Sequence, residues 1–266
     1  MNIAIGQYYP ENSCVHNLDP RMKLMAVMAY IVSLFSVTNV WGYLFAAAFL
    51  ISVIMLSKVP VLYVLRGLKA ITFIIIFTSV LNIFFIRGET VLFTVLGLQI
   101  TAEGLAAAGR IAARLILLIA GSSLLTLTTS PIKLSDALEF FMRPLKVIRV
   151  PAHEIAMMMT IALRFIPTLV EEMQKIMKAQ MARGADFVSG GLVKKAKSII
   201  PLLVPLFVSA FRRADELALA MESRCYRGDI NRTKMKKMKF EARDFVAALV
   251  VVAFVGVGVV VNILGR

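Results

Sequence analysis

Charge is scarce in this 266-residue chain: 17% of its residues are Asp, Glu, Lys or Arg, 59% are apolar, and the mean hydropathy is +0.81. A water-soluble domain of this length needs more polar surface, so that class is excluded. Cysteine is nearly absent. Cys14 and Cys225 lie far apart with no C-x-x-C spacing, which removes a disulfide framework and a thiolate zinc site. His153-Glu154 begins like an H-E-x-x-H zinc helix, but Met157 stands where the second ligand belongs, and His16 has no ligand-type partner at useful spacing. No metal site is expected. There is no G-x-x-x-x-G-K-[ST] stretch, so nucleotide is not held by that route. The opening residues also lack a signal peptide's order of basic region, apolar core and small-residue cleavage site.

What fills the chain instead is apolar runs long enough to cross a bilayer. The expected class is all-α, a polytopic helical membrane protein of about five transmembrane helices with a polar cytoplasmic insert. The spans are read at 24–37, 44–56, 71–86, 102–128 and 245–264. The divisions are 1–129 for the N-terminal membrane part, 130–243 for the insert and 244–266 for the last span. Basic flanks at Arg21, Lys23, Lys58, Arg66 and Lys69 mark the cytoplasmic side, and Arg87-Gly88-Glu89 opens an outside loop. Asp19-Pro20 reads as a helix start, and Thr38-Asn39 as a break followed by an interfacial aromatic pair, Trp41 and Tyr43. Residues 91–100, broken by Gly97, read as a small hairpin, and Thr101 as the N-cap of the next helix. Gly104, Ala108 and Ala112 form a small-residue ridge for close packing. Arg110 and Arg114 lie inside the same span, either facing protein or reaching for headgroups.

The insert holds 21 Lys/Arg and 11 Asp/Glu, about +10 of the chain's +14. The positive-inside rule accounts for that excess better than nucleic-acid binding does. Two long helical patterns run through it, 153–184 and 191–228, and the insert reads as too polar to be a span. The first carries an apolar ridge of Ile155, Met158, Ala162, Phe165, Leu169, Met173, Ile176 and Met177 at spacings of three and four. Pro167 is expected to kink it; Pro201 and Pro205 are expected to bend or break the first half of the second. Glu171-Glu172 invites comparison with the paired glutamates of intramembrane CAAX-type proteases. Ile176 stands where those have arginine, so pairing with Lys175 and Lys178 on an exposed face is expected. Each long helix ends in an arginine beside a stop signal: Ala182-Arg183-Gly184, and Ser223-Arg224-Cys225 with Gly228 close behind. A basic last turn before glycine is what any helix end looks like. A guanidinium fork repeated at two such ends also suits docking to a partner's carboxylate or carbonyls. The residues alone leave both readings open.

A set of short stretches stands in order along the chain. They are His16-Asn17-Leu18-Asp19-Pro20-Arg21-Met22-Lys23-Leu24, Leu125-Thr126-Leu127-Thr128-Thr129, Ala162-Leu163-Arg164-Phe165-Ile166-Pro167 and Ala179-Gln180-Met181-Ala182-Arg183-Gly184. Arg213-Ala214-Asp215-Glu216-Leu217-Ala218 and Ala220-Met221-Glu222-Ser223-Arg224-Cys225-Tyr226 complete it. The set resembles the transmembrane coupling (T) component of energy-coupling factor (ECF) transporters over nearly the whole chain. That resemblance implies a non-catalytic subunit of an ATP-driven importer of a micronutrient, vitamin or metal ion, in a bacterial cell membrane, with its N-terminus and coupling helices cytoplasmic.

Two Ala-Arg-Gly motifs of the family end two crossed coupling helices, and each engages one of two ABC-type ATPases. Here this assigns docking to Ala182, Arg183, Gly184, Ser223, Arg224 and Cys225, with Gly228 expected to replace the second motif's missing glycine. ATP and Mg would sit on those partners, and this chain would bind no cofactor. A separate membrane-embedded substrate-binding (S) component would rest on Met158, Phe165, Leu169, Met173, Met177, Met181 and Phe211. The methionines suit a surface that re-packs against several interchangeable S components, although plain core packing also uses them. The rival from another class is a membrane-tethered basic protein binding nucleic acid or anionic lipid; under the resemblance no nucleic acid is expected.

Overall fold

The computed structural model describes residues 8–69, 71–86, 90–95, 98–185, 187, 191–228 and 238–264. Among them run α1 (Pro20–Ser36), α2 (Val40–Ser57), α3 (Val61–Lys69), α4 (Thr72–Phe85), β1 (Val91–Val95), β2 (Leu98–Thr101), α5 (Ala102–Thr128) and α6 (Pro131–Met142). A 3-10 stretch, Arg143–Ile148, leads to α7 (Ala152–Ala182), α8 (Leu192–Ser223) and α9 (Ala242–Leu264). The fold is an all-α membrane architecture with one antiparallel hairpin, β1–β2, at the expected place. Gly97, the 87–89 loop, Gly190 of the inter-helix turn, the basic residues 232–237 and Arg266 lie outside the described residues. The described residues fall into two compact units, one within Gly6–Ala137 and Lys237–Arg266, the other within Leu138–Lys236.

Four described helices are long and apolar enough to cross a bilayer, namely α2, α5, α7 and α9, with α3 and α4 a fifth only as a pair bent by 60°. One expectation is corrected and one is marginal. The 24–37 run, short for a span by its sequence, is the 17-residue α1, about 26 Å long against a hydrocarbon core of about 30 Å. In turn α7, inside the supposedly over-polar insert, has a window of mean hydropathy 1.3. The insert's charge is concentrated outside this window: from His153 to Val170 the only Asp, Glu, Lys or Arg residues are Glu154 and Arg164. Averaging over the whole insert hid that run.

Local chemistry sets the helix starts. Asp19 caps α1, accepting from the Arg21 amide at 2.9 Å with Pro20 in the first turn, and Thr101 caps α5 by accepting from the Gly104 amide at 3.1 Å. Gly104 also lets α4 approach: a Cβ there would stand 3.1 Å from the Ile86 carbonyl and 3.2 Å from that of Ile83. The two α5 arginines separate. Arg110 is exposed, whereas Arg114 donates to the Val37 carbonyl (3.0 Å) and the Tyr43 hydroxyl (2.8 Å) and lies over the Phe35 and Tyr43 rings. Tyr43 is therefore buried, and the expected interfacial pair reduces to Trp41, which is 70% exposed.

The N-terminal segment is tied down by a polar knot. The buried Lys23 ammonium donates to the carbonyls of His16 (3.0 Å) and Thr128 (2.9 Å), the latter at the negative end of the α5 dipole. Asp244 accepts from the amides of Asp19 and Glu241, joining the start of α9 to the start of α1. His16 Nε2 donates to the Tyr9 carbonyl (3.0 Å) and Nδ1 shares a hydrogen bond with the Ser13 hydroxyl (2.7 Å), which is the donor when the imidazole is neutral. Burial holds His16 below its ordinary value of 6.5; the Tyr9 carbonyl opposes this and the Lys23 charge adds to it. As pH falls through 6.5 the unfolded segment takes up a proton that the folded one refuses, so the anchoring weakens on the acid side. Proteolytic nicking between Tyr9 and Asp19 is expected to rise between about pH 7.5 and about pH 5.5. His16→Gln should flatten that dependence.

Candidate functional site

The sequence-assigned site residues lie on α7 and α8, which pair antiparallel, and on the caps that follow them. Three contacts set the register: the Tyr226 hydroxyl reaches the Met157 sulfur at 3.0 Å, Glu172 takes the Ser209 hydroxyl and the Arg213 guanidinium (3.3 Å), and the Gln180 amide approaches the Pro201 carbonyl at 3.5 Å. The Glu172 contacts overturn the expected pairing with Lys175 and Lys178, because the carboxylate faces the neighbouring helix; Glu171 is the exposed member.

Both helices run unbroken through their prolines, Pro167 in α7 and Pro201 and Pro205 in α8. Of the two outcomes expected for α8, bent or broken, the break does not occur. Pro205 has no amide proton, so the Pro201 carbonyl loses its partner within the helix. Gln180 of α7 approaches that orphaned oxygen and offsets part of the cost.

The two arginine ends share one geometry. At the first, Gly184 has φ +87°, its amide donates to Met181 and the Ala185 amide donates to Gln180, each at 3.0 Å. At the second, Cys225 has φ +54°, its amide donates to Glu222 at 2.8 Å and the Tyr226 amide to Met221 at 3.0 Å. Each is a Schellman cap with the arginine as the last residue before the left-handed position. The substitute expected at Gly228 is thus corrected: Cys225 itself takes the glycine's place, and Gly228, at φ +71°, turns the chain three residues later. Both arginines are exposed. Tyr226 beside Met157 puts the second cap near the start of α7, and the first stands at the end of α7. From Met157 to Arg183 the helix covers about 39 Å at 1.5 Å per residue.

Residues 11–235 match the model of the cobalt transport protein (CbiQ) family. Three relatives carry the description energy-coupling factor transporter transmembrane protein EcfT. That of Thermosediminibacter oceani is 54% identical over 260 residues, covering 98% of this chain and 97% of the relative. That of Clostridium kluyveri is 52% identical over 263 residues, with 98% and 97% covered. That of Lactococcus lactis subsp. cremoris is 46% identical over 243 residues, with 91% of each covered. The chain belongs to the family of transmembrane (T) components of ECF transporters. It is a multi-pass membrane subunit of a transport system.

In this T component the residues assigned to S-component contact divide by exposure. Met158, Met181 and Phe211 are exposed, while Phe165, Leu169, Met173 and Met177 are half-buried. The structure adds a stripe that the expected break in α8 had concealed: Ile200, Val204, Phe207 and Phe211, spaced by four, three and four, are 57–69% exposed. The signal was legible in the spacing itself. Among the described residues no cluster of three or more His, Cys, Asp or Glu is placed to hold a metal, and His153 faces Glu139 at 3.4 Å.

The second cap carries a measurable strain. A non-glycine residue in the left-handed region costs about 1 kcal/mol. Cys225→Gly is expected to stabilise the end of α8 by about that much, read as slower exchange of the Cys225 and Tyr226 positions' amides. Cys225→Val should speed it.

Proposed function

We propose that this chain transmits movement from two ABC-type ATPases to a separate membrane-embedded S component, which carries a vitamin or metal ion inward, and that it neither binds that substrate nor hydrolyses ATP. The observation that carries the reading is the pair of matching arginine caps at opposite ends of one antiparallel helix pair. Two like subunits, each receiving one arginine, would grip both ends. Closure of the ATPases on ATP then shifts or tilts α7 and α8 together, and the exposed apolar stripe passes the motion on.

Geometry constrains how the pair lies. An α7 that crossed the bilayer would put Arg183 and Arg224 on opposite sides, about 39 Å apart against a hydrocarbon core of about 30 Å. Docking to ATPases on one side requires the pair to lie along the membrane, its apolar stripe toward the bilayer and its caps in the cytoplasm. The basic residues Lys58, Arg66 and Lys69 favour a cytoplasmic position for the 58–69 stretch as well. Cysteines at 183 and 224, in a chain freed of its own two, are expected to label from the cytoplasmic side only. Mild solubilisation is expected to bring down ATPase subunits and no nucleic acid. Labelling of one cap from outside, or purification without ATPases, would refute the coupling reading.

A further inference from the structure

We propose that the cavity among α1, α2, α5 and α9 holds one acyl chain of an anionic phospholipid. This cavity measures about 550 Å³, a size typical of small-molecule sites, and its walls are almost wholly apolar. Rigid groups keep it open. Phe49 and Phe254 stack at 4.2 Å, Phe45 stacks on Phe254 at 5.3 Å, and the Tyr30 ring rests on Gly121, where a Cβ would stand 2.6 Å from a ring carbon. Plates held this way cannot fold inward to fill the space, and an empty apolar volume forfeits the dispersion contacts that a close-packed interior makes.

Leu56, Val246, Val250 and Arg243 line the cavity and are exposed, so its mouth lies where α9 meets its surroundings. For a 23-residue apolar helix those surroundings are lipid. Depth matches as well. From Arg243 at the rim to Phe254 at the floor α9 rises about 16 Å, close to the half-thickness of a bilayer core of about 30 Å. The charged lining residues, Lys23 and Arg243, are both cations, and Arg232, Lys234, Lys236, Lys237 and Lys239 precede α9 in sequence. A chain entering from the cytoplasmic leaflet would leave its phosphate beside Arg243, whose guanidinium pairs at 3.1 Å with Glu241 on the exposed surface and would exchange that partner for the headgroup.

The assembled transporter in phosphatidylcholine nanodiscs, doped with phosphatidylglycerol bearing a diazirine at the acyl terminus, tests this directly. Illumination is expected to label peptides holding Phe49 and Val250–Phe254 well above the more exposed apolar residues Phe73 and Phe77 of α4. Ala247→Phe, which puts a ring into the cavity and narrows it, should reduce that labelling to the α4 level. Arg243→Gln should keep the labelling and lower the preference for phosphatidylglycerol over phosphatidylcholine about fivefold. Even labelling across all helices overturns the proposal, as does labelling that survives Ala247→Phe. Cavity peptides shielded from lipid and crosslinked to a partner's helix would assign the space to protein and overturn it too. Should Ala247→Phe fail to assemble, the unmodified chain's labelling pattern decides alone.

Discussion

A chain carrying Arg183→Glu together with Arg224→Glu is expected to insert into membranes and to bring down no ATPase. Each guanidinium is exposed at a fixed helix end, where backbone hydrogen bonds set the direction of the chain and the side chain is free to enter a groove on a partner. Truncating one member of a desolvated charged contact costs about 2–5 kcal/mol, and reversal adds repulsion from any carboxylate proposed to receive the guanidinium. That is roughly thirty- to several-thousand-fold in affinity per site, since about 1.4 kcal/mol is tenfold. One reversal should leave a complex held at the other end, able to bind ATPase but poor in transport, because a lever gripped at one end is not driven. Two should leave no complex. Arg→Lys at either cap separates fork from charge: an ammonium keeps the attraction but loses bidentate geometry, so partial assembly is the expected result. Gly184→Val tests the cap without touching charge, since a β-branched residue is strained at φ +87°. Full ATPase recovery with the doubly reversed chain sinks the docking proposal.

The fold was legible where one local rule governed. Asp19-Pro20 and Thr101 announced helix starts because capping needs only neighbouring residues, and both caps form. The 91–100 hairpin was visible from its turn residue. What escaped was whatever depended on a distant partner. Pro201 and Pro205 predicted a bent or broken helix, and only α7 reveals that Gln180 stands by the orphaned carbonyl. Glu172 looked like half of a surface pair, while Ser209 and Arg213, its partners, are 37 and 41 positions away. Arg110 and Arg114 are identical in type and sit one turn apart, so nothing local could say that one would be held by Val37 and Tyr43 and the other left exposed. Cys225 is the instructive case. Composition says that a left-handed cap wants glycine, and a cysteine there suggested that the helix stopped later. The Schellman hydrogen bonds outweigh a strain of about 1 kcal/mol, and the second cap repeats the first.

Placing carboxylates on the α8 stripe is expected to separate the two halves of the coupling function. Phe207 is 60% exposed and Phe211 69%, one turn apart on a helix whose neighbouring positions Ile200 and Val204 are also uncovered. Large aromatics left open in this way are the kind of residue that dominates an interface, where truncation of a central one costs 2 kcal/mol or more. Phe207→Glu with Phe211→Glu replaces that contact by two charges that an apolar partner surface cannot solvate, so the cost exceeds simple truncation. Neither residue touches the caps: Phe211 stands 13 positions before Arg224, about 20 Å along the helix. ATPase assembly should therefore be retained while the S component no longer co-purifies and uptake falls to background. Phe→Leu at both positions gives the graded control, keeping apolar surface and losing only aromatic area. Loss of ATPase and S component together would mean that the substitutions had unfolded α8, which amide protection of the Cys225 and Tyr226 cap reads independently. An S component still bound at normal yield, with that cap intact, would place its contact elsewhere, at exposed α7 residues such as Met158 or Met181.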